Sequence, residues 1–186
     1  FPTRRSSDLW SITGGCTAST YCPGANVTRA QMAVFVIRSI FGDTFTVPTL
    51  TPFTDVPTTH PFFNYIQKMR ELGITSGCTA TTYCPDANVT RAEMAVFLVR
   101  GKLKALLGDG FTFPTTPFFT DVPATHPFFN YVQKLRELGV TSGCTADTYC
   151  PDSPVTREQM AVFVVRALVG DSFTFPAERS EEHTSE

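Results

Sequence analysis

Three copies of one sequence unit make up most of this chain, and that periodicity limits the fold more than any other feature. Residues 11–38 read SITGGCTASTYCPGANVTRAQMAVFVIR, residues 73–100 read GITSGCTATTYCPDANVTRAEMAVFLVR, and residues 139–166 read GVTSGCTADTYCPDSPVTREQMAVFVVR. Cys16, Cys78 and Cys144 are 62 and 66 residues apart, and the difference is four extra residues after Arg100. A period of this size marks a repeat architecture, in which each unit buries its apolar face against its neighbours. One cooperative domain is therefore expected, not three independent ones.

Residues 10–50 read as the second half of repeat one, residues 51–116 as repeat two and residues 117–178 as repeat three. The joints FGDTFTVPTLTP, GDGFTFPTTP and GDSFTFP are dense in Gly, Pro and Thr, and the residue before each Pro is biased away from helix. Residues 1–9 (FPTRRSSDL) and 179–186 (RSEEHTSE) share no pattern with the repeats. Both look like translated sequencing adapters and are expected to stand outside the fold. That reading removes His183 from any functional argument and makes repeat one a truncated copy. A hydrophobic content of 42% is enough for a packed core, and the formal net charge of −2 gives no basic field for nucleic acid. No apolar run approaches the ~18 residues of a membrane span, so no segment is expected to cross a membrane.

Each full repeat reads as helix–loop–helix. Pro61 and Pro127 suit the first position of a helix. Phe62, Ile66, Met69 and Leu72 then fall on one face of a 3.6-residue period, which leaves Gln67, Lys68, Arg70 and Glu71 facing away. Lys68 with Arg70, and Lys134 with Arg136, add positive charge there, on what otherwise reads as a solvated face. Gly73 and Gly139 stand where a left-handed cap is wanted. The second helix opens with Thr28-x-x-Gln31, Thr90-x-x-Glu93 or Thr156-x-x-Gln159, each a capping box. Its body, MAVFVIR or MAVFLVR, is apolar on nearly every side, so it is expected to be buried on most sides. Three such helices point to a central bundle with pseudo-threefold symmetry.

Six cysteines form three identical C-x5-C pairs: Cys16 with Cys22, Cys78 with Cys84, and Cys144 with Cys150. They read as disulfides closing short loops, worth about 2–2.5 kcal/mol each in the chain-entropy picture. Metal binding and free thiols are the rival readings. The spacing is not the usual one for zinc, and each full repeat has a single His far from its Cys pair. Disulfides imply an oxidising, exported setting.

Arg29, Arg91 and Arg157 follow the capping Thr in every copy. A cation there opposes the helix dipole by a few tenths to ~1 kcal/mol, so its recurrence asks for a reason. A helix start offers N–H groups that bind anions, and a guanidinium beside them makes a site for a carboxylate or phosphate. A structural salt bridge to Asp55 or Asp121 is the alternative. Those two aspartates read first as turn formers and second as groove residues. Glu93 reads as structural, since Gln31 and Gln159 hold its place elsewhere. His60 and His126 stand near these aspartates in sequence, but no Ser nucleophile signature such as GxSxG accompanies them. Asn26 and Asn88 (N-V-T) read as residues leading into a helix and not as glycosylation sites. Asp109 with Gly110 makes no complete calcium loop.

FTDVP, HPFFNYIQKMRELGITSG and VTRAEMAVFLVR, in that order and at a repeated spacing, resemble the S-layer homology domain over nearly all of residues 11–176. The resemblance implies an all-α fold in which three helix–loop–helix units form one three-pronged module. It also implies that Arg29, Arg91 and Arg157 lie in grooves that bind anionic, often pyruvylated, wall glycan. Where family members commonly carry Trp, this chain has Phe62, Phe63, Phe128 and Phe129, which can stack on a sugar face but lack the indole N–H donor. The cysteine pairs are a further departure. The expected function is a non-catalytic module, with no cofactor and no metal, that anchors a larger exported protein to bacterial cell-wall polysaccharide or a peptidoglycan-linked polymer. The alternative is a structural module that assembles a surface layer or fibre through protein–protein contact.

Overall fold

A computed structural model describes residues 12–103 and 112–170. The assignments made for residues 1–9 and 179–186, His183 among them, and for Asp109 with Gly110 lie outside the described residues. The described chain is all-α, with helices α1 (Arg29–Phe41), α2 (Phe63–Glu71), α3 (Arg91–Leu98), α4 (Phe129–Glu137) and α5 (Arg157–Val169). Pairing between extended segments is limited, among the described residues, to three isolated bridges.

Local sequence sets the ends of these helices. Thr28, Thr90 and Thr156 each accept the backbone N–H three residues on, and Gln31, Glu93 and Gln159 return a side-chain oxygen to the capping N–H. All three capping boxes are thus made. Gly73 and Gly139 adopt φ of 67° and 71° just past α2 and α4, as a left-handed helix stop requires. The first helices start two residues later than the prolines suggest. His60 and His126 turn the chain instead: each carbonyl accepts from the N–H of Phe63 or Phe129, and each ring Nδ1 accepts from the N–H of Phe62 or Phe128.

The repeats are closed onto one another by a cycle of backbone bonds. Val27 N–H donates to Val155, Val155 N–H to Val89, and Val89 N–H to Val27, each at 2.9 Å. All three valine side chains are fully buried. Around this cycle α1 packs against α3 and α5 on the inside, α2 lies on α1, and α4 lies on α3. Immediately after α3 the chain makes a π-helical turn, Val99–Leu103, which meets α1, α4 and α5. Gly101 lies in this turn, where a Cβ would come within 2.8 Å of Val36 Cγ1.

The three disulfides are formed: Cys16 is bonded to Cys22, Cys78 to Cys84, and Cys144 to Cys150, each pair with a Cα–Cα separation of 6.1 Å. That separation is inside the usual range. Among the described residues no cysteine is free, so the metal and free-thiol readings of these pairs fall away. The second cysteine of every pair is left-handed, with φ of 54° at Cys22, 57° at Cys84 and 58° at Cys150, a conformation that is costly for a residue with a Cβ. Within each full repeat the FTDV turn helps to hold it. Asp55 accepts from the N–H groups of Tyr83 and Cys84 at 2.8 and 2.7 Å, and Asp121 does the same for Tyr149 and Cys150. In repeat one the Cys22 carbonyl accepts from Ala25 N–H at 3.1 Å, the same tight turn that Cys84 makes with Ala87 and Cys150 with Ser153. Gly77 at φ 94° completes the loop of repeat two, because a Cβ there would lie 2.5 Å from two carbonyl oxygens.

The outward face expected on the first helix is not all outward. Ile66 and Met69 are fully buried as expected, but Leu72 is exposed, while Gln67, Lys68, Gln133 and Lys134 are buried. The lysine stems run along apolar surface: Lys68 Nζ lies over the Phe41 ring and Lys134 Nζ donates to Thr112 O. Arg70 and Arg136 lie over Phe53 and Phe118. These cations are packing elements, not a solvated basic stripe.

Gln133 Oε1 accepts from Phe118 N–H at 2.9 Å. The residue equivalent to Phe118 in repeat two is Pro52, which has no N–H, and the Gln67 carboxamide is buried without a partner. Replacing an unbonded buried amide with an apolar isostere removes a desolvation cost. Gln67→Met is therefore expected to be neutral or stabilising in urea unfolding, whereas Gln133→Met is expected to cost about 1 kcal/mol.

Candidate functional site: the inter-repeat arginines and grooves

The N1 arginine of every second helix reaches into the next repeat. Arg29 Nε donates to Tyr83 O at 2.9 Å, Arg91 Nε to Tyr149 O at 2.7 Å, and Arg157 Nε to Tyr21 O at 2.8 Å. The bond is answered in each case, since Tyr83, Tyr149 and Tyr21 donate their hydroxyls to the carbonyls of Arg29, Arg91 and Arg157. Each guanidinium lies between two aromatic rings: Tyr83 and Phe97, Tyr149 and Phe163, or Tyr21 and Phe35, at 4.8–5.7 Å from the centroids. These distances fall within cation–π range. The three arginines are only 4%, 6% and 5% exposed.

The helix N–H groups that sequence reasoning offers to an anion are already taken. Arg29 and Ala30 donate to Ala87 and Pro85, Arg91 and Ala92 to Ser153 and Pro151, and Arg157 and Glu158 to Ala25 and Pro23. The third N–H goes to the capping Thr. The expected salt-bridge partners also differ. Asp55 and Asp121 serve the cysteine loops, and Arg29 Nη1 pairs with Glu93 Oε1 at 2.8 Å. At the equivalent place Arg157 Nη2 donates to Thr13 Oγ1, with Gln31 in the position of Glu93. Arg91 Nη2 is buried with no partner. Burial lowers the Arg91 pKa from its ordinary value, against the raising influence of Tyr149 and Asp121.

Two grooves lie at equivalent places between repeats. One, of 170 Å³, is lined by Arg29 of repeat one, by Thr75, Ser76, Gly77, Glu93, Phe97 and Arg100 of repeat two, and by Phe128 of repeat three. The other, of 210 Å³, is lined by Arg157, by Thr13, Gly14, Gly15, Gln31, Phe35 and Arg38, and by Phe62. The lining residues correspond position by position. The phenylalanines expected on sugar divide accordingly: Phe62 and Phe128 line grooves, while Phe129 is buried in the core and Phe63 packs against it. His60 and Asp55, like His126 and Asp121, engage separate backbone amides and form no pair with each other in these bonds. Among the described residues, no group of three or more His, Cys, Asp or Glu is arranged to hold a metal ion.

Tyr21, Tyr83 and Tyr149 are the residues that sequence reasoning missed. The signal was present, because a Tyr precedes the second Cys in all three copies. What hid its role is that its partner lies 54, 58 or 136 residues away.

A domain in which each helix–loop–helix unit is completed by the next is a tandem-repeat module, and its sequence identifies the repeat. Residues 52–95 and 118–161 match the S-layer homology domain, and over these repeats the chain belongs to that family. Among curated proteins it is 33% identical over 136 residues, 72% of this chain, to the Endoglucanase of Bacillus sp. (strain KSM-635). It is 28% identical over 160 residues (83%) to Cell surface glycoprotein 1 of Acetivibrio thermocellus, and 25% identical over 145 residues (77%) to the Surface layer protein of Brevibacillus choshinensis. It spans 14%, 7% and 12% of the lengths of these three proteins.

Burial raises the pKa of Tyr83 and Tyr149 well above the ordinary phenol value, with the arginine opposing. A raised folded-state pKa leaves its stabilisation intact below the unfolded value of about 10 and removes it as pH rises past that point. Urea unfolding is thus expected to show stability falling progressively as pH rises above about 10. Tyr83→Phe combined with Tyr149→Phe should flatten that fall, at a cost of about 1 kcal/mol per lost hydroxyl bond at neutral pH.

Proposed function

We propose that this chain is a non-catalytic anchoring module of the bacterial cell envelope, holding a larger exported protein to an anionic wall glycan, pyruvylated sugars included. The pair of equivalent grooves carries this reading. Each brings a guanidinium edge, a Thr-x-Gly turn and a Phe ring from three different repeats to one concavity. That combination suits a sugar, whose apolar face packs on a ring while its polar substituents meet donors. Arg100 supplies further positive charge at the edge of the first groove, Arg38 lines the second while paired with Asp43, and two weak sites on one body gain by effective concentration. The cyclic valine and arginine bonds support a pseudo-threefold, three-pronged arrangement of the repeats. The Cell surface glycoprotein 1 and the Surface layer protein among the relatives carry a similar segment, and the place of this module is outside the cell, at the envelope. The endoglucanase matches over only 14% of its length, so we assign the activity in its name to the remainder of that protein and not to the repeats.

Ser76 is exposed at the first groove, and Gly14 at the second has open space where a side chain would project. Gly14→Trp combined with Ser76→Trp fills both grooves without disturbing the buried arginines. In co-sedimentation with purified bacterial walls, the unaltered chain is expected to bind only walls that retain their acidic polymer. Binding should weaken with salt, and the double variant should lose about tenfold in affinity or more. Equal binding by both proteins, or equal binding to walls stripped of the polymer, would remove the grooves from the account. Self-association without walls would favour surface assembly instead.

A further inference from the structure

Each groove runs along one second helix, and each carries one acid, but the two acids stand at opposite ends. In the first groove Glu93, Phe97 and Arg100 follow one another along one helix face, and in the second Gln31, Phe35 and Arg38 do the same. Seven residues separate the outer members of each set, about 10 Å of helix. The buried arginine of a neighbouring repeat, Arg29 or Arg157, meets the starting end. There the first groove has its acid: Glu93 accepts Thr90 N–H on Oε2 and Arg29 Nη1 on Oε1, at 3.0 and 2.8 Å. At the far end Arg100 pairs with no carboxylate among the described residues. Its Nε donates to the Tyr131 hydroxyl at 3.0 Å, and its guanidinium lies over that ring.

The second groove is the reverse. Gln31 gives its Oε1 to Thr28 N–H, and Arg157 Nη2 meets only the neutral Thr13 hydroxyl, at 3.0 Å. At the far end Asp43 accepts from both Arg38 Nε and the Tyr65 hydroxyl, at 2.7 and 3.0 Å. The bond from Arg38 holds the Asp43 carboxyl below its ordinary range. Tyr65 stands under Arg38 as Tyr131 stands under Arg100, so the acid is what differs. We infer that Glu93 and Asp43 set where each groove takes the anionic group of a wall sugar: beside Arg157, at the helix start, in the second groove, and beside Arg100, at the helix end, in the first. The inference rests on the grooves being sugar sites, as proposed above. A carboxylate gains most from a guanidinium that no resident carboxylate occupies, because like charges on one cation repel. A ring packed on Phe128 or Phe62 therefore turns its acidic edge toward opposite helix ends in the two grooves.

The test uses the full chain with one groove filled at a time: Ser76→Trp leaves the second groove open, and Gly14→Trp the first. The probes are a methyl glycoside bearing a pyruvate ketal and the neutral methyl ester of the same compound. Arginine Nε–H signals in nitrogen-edited NMR spectra report which guanidinium the acid meets. In the Ser76→Trp protein the acid is expected to shift Arg157 and not Arg38, and in the Gly14→Trp protein Arg100 and not Arg29. It should bind about tenfold more tightly than the ester in each. Adding Gln31→Glu to the Ser76→Trp protein should abolish that preference, and adding Glu93→Gln to the Gly14→Trp protein should bring the shift to Arg29. The capping box accepts either residue, so both exchanges keep the helix start. Acid binding that perturbs the same arginine, with the same preference over the ester, before and after both exchanges would overturn the inference and leave the glycan reading standing. Binding of neither glycoside to either protein would overturn both.

Discussion

Everything in this module depends on a charge that each repeat buries in its neighbour. The arginine at the first position of a second helix cannot be satisfied by its own repeat: its Nε needs the tyrosine carbonyl of the next one, and its guanidinium lies between that repeat's aromatic rings. A guanidinium taken out of water is costly unless it is bonded and paired. The aromatic faces and the charge-assisted bonds offset that cost only when two repeats are together. Separating them would leave a carbonyl, a hydroxyl and two helix N–H groups unbonded at each junction, so the penalty falls on partial unfolding. The unfavourable dipole position of the cation is tolerated because those N–H groups end on carbonyls of the adjoining loop.

The cysteine loop is the other half of this clamp. It supplies the tyrosine carbonyl and hydroxyl, the carbonyls that meet the helix start, and the turn that lines the groove. In repeat two, three separate devices fix it: the disulfide, the aspartate that accepts two successive N–H groups, and a glycine in the left-handed region. A loop fixed to this degree can position a concave surface, and the grooves lie between it and the neighbouring helix. The two grooves nevertheless differ in where an acid stands. Glu93 neutralises Arg29 in one, whereas in the other the neutral Gln31 stands beside Arg157 and Asp43 pairs with Arg38. At the helix start that difference follows from a substitution that the capping box accepts with either residue.

Features set by near neighbours were legible in the sequence. The capping boxes, the Gly73 and Gly139 stops, the disulfides and the all-α class each depend on residues within one or two turns, and each stands as read. Features set across repeats were not. Periodicity put Gln67 and Lys68 on the outer face, yet both are buried where α2 packs on α1, Lys68 over the Phe41 ring. It put Leu72 inside, where the helix has already ended. The helix starts read as free to meet an anion because the carbonyls that occupy them lie in another copy of the repeat. Phe62 and Phe63 were indistinguishable as adjacent aromatics, and the turn around His60 brings Phe62 but not Phe63 to the groove.

The central claim, that the junctions make the described repeats one cooperative unit, meets its most direct test at the valine cycle. Native-state hydrogen exchange at the amides of Val27, Val89 and Val155 reads the free energy of opening each junction. The account predicts one value for all three, equal to the global unfolding free energy from urea denaturation. Values that differ among the junctions by more than about 1 kcal/mol, or that fall well below the global value, would show that the repeats open separately and would contradict it.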